Sequence, residues 1–84
     1  MIAGAIDQWL RRRVVEEATG AYLAWWQECT AVRDAYRGWV GAARDEAGQA
    51  FDGYVAALER EQRAAEAYAA QVGRVSELAW PEPA

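Results

Sequence analysis

The side chains here that could do chemistry are few: one thiol on Cys29, three hydroxyls on Thr19, Thr30 and Ser76, and the adjacent carboxylates Glu16-Glu17 and Asp45-Glu46. Histidine is absent, which removes at once the side chain that titrates near neutral pH, the imidazole metal ligand and the base of a Ser-His-Asp triad. The hydroxyls have no general base beside them to activate an attack. Cys29 falls on an apolar helical stripe, where a thiol behaves as a small inert hydrophobe. Hydrolysis by carboxylates alone, as in glycosidases, needs two acids a few ångströms apart in a substrate cleft, and the two acidic pairs sit on polar faces of a slender helical chain. Glycine-rich phosphate loops, calcium-loop patterns and paired cysteines do not occur. The chain therefore reads as non-enzymatic, with no catalytic residue, no cofactor and no metal site.

The elements that carry these residues are helical. Both prolines, Pro81 and Pro83, lie in the terminal WPEPA, and Ala, Glu, Arg and Leu fill most of the remainder. At about 100° per residue, Tyr22, Trp25, Trp26, Cys29, Tyr36 and Val40 share one sector, with Val32 and Trp39 on its flank. A second run, Phe51, Tyr54, Leu58, Glu61, Ala65, Tyr68, Val72 and Val75, alternates spacings of three and four, the pattern of helices packed against each other. The two runs are out of phase around ARDEAGQA, residues 43–50, which places the main turn near Gly48. Ile2, Ile6, Trp9 and Leu10 point away from the aromatic sector if residues 2–40 form one helix, so Thr19-Gly20 is expected to break it. The expected fold is all-α: a long antiparallel hairpin of helices at roughly 21–46 and 49–78, a short leading helix at 4–18 and a tail at 79–84. It forms a three-helix arrangement in a single domain, completed by oligomerisation or a partner.

A turn near Gly48 sets facing residues whose numbers sum to about 94. Arg33 then meets Glu61. Each is a charged residue inside an apolar stripe, so the expectation is a partly buried ion pair that fixes register.

Eighty-four residues sit near the size at which one core supplies only a few kcal/mol. Ten aromatic residues could each bury about 150–250 Å², more than one face of a two-helix hairpin covers. Trp9, Trp25, Trp26 and Trp39 are accordingly expected to anchor another chain, either a protein partner or a second copy. The net charge of -4 is concentrated in residues 43–84, with eight acidic and four basic side chains. That balance argues against direct nucleic-acid binding and opens an alternative, a small acidic inhibitor covering a basic site on an enzyme or nucleic-acid-binding protein. Residues 2–15 also have the composition of a helix that lies on a membrane surface, tempered by Glu16 and Glu17.

The longest uncharged stretch, Ala18 to Gln27, is about half the roughly 20 residues that a membrane-spanning helix needs. No export signal is legible at the start, where the charges follow the apolar residues. One cysteine cannot form an internal disulfide. A cytoplasmic location is the expectation.

The triplet Trp39-Val40-Gly41, at the middle of a short Ala-rich helical chain, resembles the WXG-type small secreted helical hairpins, in which W-x-G marks the turn. That resemblance implies a turn at Gly41 instead of Gly48, two helices of about equal length and a dimer as the secreted species. The family's export pattern, a tyrosine followed four positions later by an acid, has no match, since Leu58 follows Tyr54 and Val72 follows Tyr68; the resemblance therefore implies a heterodimer, whose other chain carries that signal.

Overall fold

The computed structural model describes residues 2–79, with side chains described for 4–78. The chain forms two antiparallel helices, α1 (Ile2–Val40, 39 residues) and α2 (Ala47–Ala79, 33 residues), joined by residues 41–46. The hairpin measures 66 × 22 × 12 Å. Its thinnest dimension is about one helix diameter, so the molecule is a single layer. Trp80 and the rest of the tail lie outside the described residues.

Two expectations are corrected. The short leading helix and its three-helix arrangement are replaced by one helix that passes straight through Thr19-Gly20. Thr19 keeps its hydroxyl on the Val15 carbonyl, 3.0 Å away within the helix, and a helical glycine costs only about 1 kcal/mol relative to alanine. Across this point Val14, Ala18, Ala21, Trp25, Glu28, Val32, Ala35 and Trp39 keep an unbroken alternation of four and three, and all are buried or half-buried. That continuous contact with α2 outweighs a single glycine.

The turn is also earlier than expected, at Gly41 and not Gly48, which is already helical. The Gly41 N–H donates to the Arg37 carbonyl at 3.0 Å and Ala42 N–H to Trp39 at 3.2 Å, closing α1. A Cβ on Gly41 would stand 3.3 Å from that Arg37 oxygen, so the chain turns most easily where no side chain intrudes. Glu46 N–H donates to Ala43 at 2.9 Å, and the Glu46 carbonyl then accepts the first helical bond of α2, from Ala50 at 3.0 Å.

The earlier turn moves the register by one helical turn. Tyr22 meets Tyr68, Tyr36 meets Tyr54 and Trp39 meets Phe51, so facing numbers add to about 90 and not to about 94. On α2 the seam toward α1 is Ala50, Tyr54, Ala57, Glu61, Ala64, Tyr68, Gln71 and Val75, every one buried or half-buried. Alanines let the helices approach closely, with aromatic rings filling the positions between them. Only Val14, at 7% exposed, and Ala57, at 0%, are fully inside among the described residues.

Candidate interaction face

The two faces of this layer differ. On one, Glu28 pairs with Arg60 at 3.2 Å and Glu17 with Arg74 at 3.4 Å, ties between the helices worth under about 1 kcal/mol each at such exposure. The other face carries eight of the twelve large apolar residues that stay exposed among the described residues. Val15, Tyr22, Trp26, Tyr36 and Val40 line it from α1, and Phe51, Leu58 and Val72 from α2, all classed as exposed. Toward the open end of the hairpin it deepens into a groove of about 470 Å³, lined by Val15, Thr19, Tyr22, Tyr68, Val72 and Ser76 among others.

The four tryptophans separate into two kinds. Trp25 and Trp39 are half-buried in the inner seam: the Trp25 indole stacks on Tyr68 at 5.6 Å, and Trp39 stacks on Tyr54 at 5.5 Å with Phe51 at 4.9 Å. Trp26 and Trp9 are 58% and 57% exposed. Trp26 lies on the apolar face, while Trp9 sits nearer the free end with the Arg13 guanidinium 5.6 Å from its ring centre. Within residues 2–15 Asp7 holds Arg11 at 2.9 Å and Val14 turns into the hairpin; Ile6 and Leu10 stay exposed.

The structure does not bring Arg33 and Glu61 together. Arg33 is exposed and joins none of the ion pairs among the described residues. Glu61 lies one turn further along, opposite Trp25 and Cys29, where its Oε1 accepts the Trp25 indole N–H at 2.7 Å and stands 3.9 Å from the Cys29 sulfur. A charged acceptor and an indole donor between helices form a strong, directional bond, so register is held by Trp25–Glu61. A second polar group, Gln71, has its Oε1 buried without a hydrogen-bond partner. Cys29 is a half-buried free thiol.

A sequence signal for the exposed face existed. The stripe of Phe51, Leu58 and Val72 marks it, but a single hydropathy seam reads those residues as the contact with α1. The inner seam on α2 has alanine at three of its eight positions, Ala50, Ala57 and Ala64, and it emerges only once Tyr54, Glu61, Tyr68 and Val75 are seen to belong to two overlapping heptad series.

Among the described residues no helix is long and apolar enough to cross a membrane. Compared with family models, with curated proteins and with solved structures, the chain matches none.

Proposed function

We propose that the protein is a non-enzymatic interaction module whose apolar face is covered by another polypeptide chain. The observation that carries this reading is the incompleteness of the hairpin as a folded unit. Its accessible surface is 6688 Å², against about 5,000 Å² for a compact monomer of its mass, and its radius of gyration is 19.0 Å against about 12 Å. Along one side of this extended shape Val15, Tyr22, Trp26, Tyr36, Val40, Phe51, Leu58 and Val72 remain exposed, and a run of large apolar side chains on one face marks a protein contact. Trp26 is the central anchor, with Tyr22 one turn before it on α1; Trp25 and Trp39 act by shaping the hairpin that presents them. Acidic groups on the rim serve orientation more than affinity, which ranks the anchor reading above a purely acidic inhibitor.

A second reading has its own support. The loop begins at Gly41, directly after Trp39-Val40, where the WXG-type resemblance requires it, and the helices are of similar length. This favours a hairpin exported as a dimer.

One experiment addresses both. The tagged full chain and its Trp26→Glu variant are purified from cells and from culture medium of the source organism, and the eluates are weighed by native mass spectrometry. The wild type is expected in a stoichiometric complex, with the variant at least tenfold depleted from it. A wild-type chain that elutes only as a lone monomer overturns the proposal, and its complete absence from the medium overturns export.

A further inference from the structure

We propose that the occupant of the apolar face is a second copy of this chain, laid face to face with both loops at the same end, so that each α1 lies over the α2 of the other copy. This rests on the reading that another chain covers the face, and it names that chain.

Charge is placed unevenly around the face. Arg33 stands on the α1 half, two turns from Trp26, and Arg37 stands at the outer edge of the same helix by the 3.5-residue repeat. The outer edge of α2 carries Asp52 and Glu59. All four are exposed, and none forms an ion pair among the described residues. Toward the loop the face thus has a basic half and an acidic edge, unpaired within one chain among the described residues; Glu16, on the same edge as Arg37, lies toward the open end.

Symmetry decides which copy-to-copy arrangement uses them. A two-fold axis along the hairpin keeps every residue at its own level and exchanges the helices across the interface. With facing numbers adding to about 90, Arg37 comes opposite Asp52 of the second copy and Arg33 opposite Glu59. The two-fold repeats each pair. The bulky Trp26 comes opposite Ala65, a small residue that leaves a hole for a large knob. The other face-to-face arrangement, with loops at opposite ends, stacks α1 on α1 and α2 on α2. With the two hairpins fully overlapped it brings Arg33 opposite Arg12, while Arg37 comes opposite Gln8 and Glu59 opposite Ser76, so one like-charge pair forms and none of these charges gains a counter-ion, which disfavours that docking.

The area is sufficient. A face 66 Å long and 22 Å wide exceeds the roughly 800 Å² per partner that a stable association buries. Arg33, a charge inside an apolar stripe with no partner in its own chain, gains one in the second copy.

The test uses two double variants, Asp52→Arg with Glu59→Arg, and Arg33→Glu with Arg37→Glu, with circular dichroism confirming that each stays helical. Wild type is expected to sediment as a dimer at micromolar concentration. Each variant alone should dimerise at least tenfold more weakly, and an equimolar mixture should restore a dimer containing one of each by native mass spectrometry. Spin labels on Arg44→Cys, in a Cys29→Ala background, should lie close together, since loops at opposite ends would separate them by most of the 66 Å length. Variants that dimerise alone as tightly as wild type, or labels far apart, overturn the arrangement. A pure wild-type monomer that still elutes from cells in a complex lost on Trp26→Glu overturns the second copy and leaves the interaction module standing; a monomer in both settings overturns both.

Discussion

Ala57→Leu is expected to lower the thermal midpoint by roughly 10–20 °C, the effect of about 2–3 kcal/mol on a chain of this size. Ala57 is 0% exposed and stands in the α2 seam between Tyr54 and Glu61, where the helices approach over alanine. A leucine there must either push the helices apart, breaking the Trp25–Glu61 bond and the ring stacks on both sides, or adopt an unfavourable rotamer. Ala56→Leu, one residue away on the exposed side, should change stability by less than about 0.5 kcal/mol. Circular dichroism melts of both variants at equal concentration make the comparison. Equal midpoints would mean that the alanine seam is not a tight contact.

Trp25→Phe is expected to cost about 2 kcal/mol, the range for a hydrogen bond to a charged group when the acceptor is left behind. Phenylalanine retains a ring to stack on Tyr68, 5.6 Å away, but removes the indole N–H that Glu61 Oε1 accepts at 2.7 Å. Cys29, at 3.9 Å, is a weak substitute donor. Combining Trp25→Phe with Glu61→Leu should recover most of the loss, because neither polar partner is then stranded. Urea titrations of the two single variants and the double variant measure this coupling. Simple additivity would show that the bond contributes nothing to register.

The helical class and the hairpin were legible in the sequence. Helix formers up to residue 79 and two prolines confined to the last four positions leave little room for another class, and the spacing from Phe51 to Val75 signals packed helices. Three features were hidden for definite reasons. Thr19-Gly20 reads as a break because local propensity counts one glycine and not the seam of Val14, Ala18, Ala21 and Trp25 that spans it. Gly48 reads as the turn because glycine ends helices, yet it occupies the first turn of α2, where it is tolerated, while Gly41 supplies the close approach to Arg37. Arg33 and Glu61 read as partners only in the register of the wrong turn.

The candidate site was legible as a surplus of rings but not as a surface. Trp25 and Trp26 are adjacent in sequence, and about 100° of helical rotation sends one into the seam and leaves the other outside. No hydropathy pattern separates them, because both helices carry two apolar stripes side by side. The alanine stripe on α2 holds the hairpin together, and the stripe of larger residues remains uncovered.

The rings of Tyr36, Trp39, Phe51 and Tyr54 gather immediately beside the loop. These are the contacts nearest in sequence, and the separation of facing residues grows steadily from there to the open ends, so the entropy of closing the chain is least at the loop. The first ring contacts therefore form before distant ones can, and each later contact closes only a short additional segment. Folding is expected to advance from the loop in the manner of a zipper, with the open end and its groove the last part to form and the first to fray.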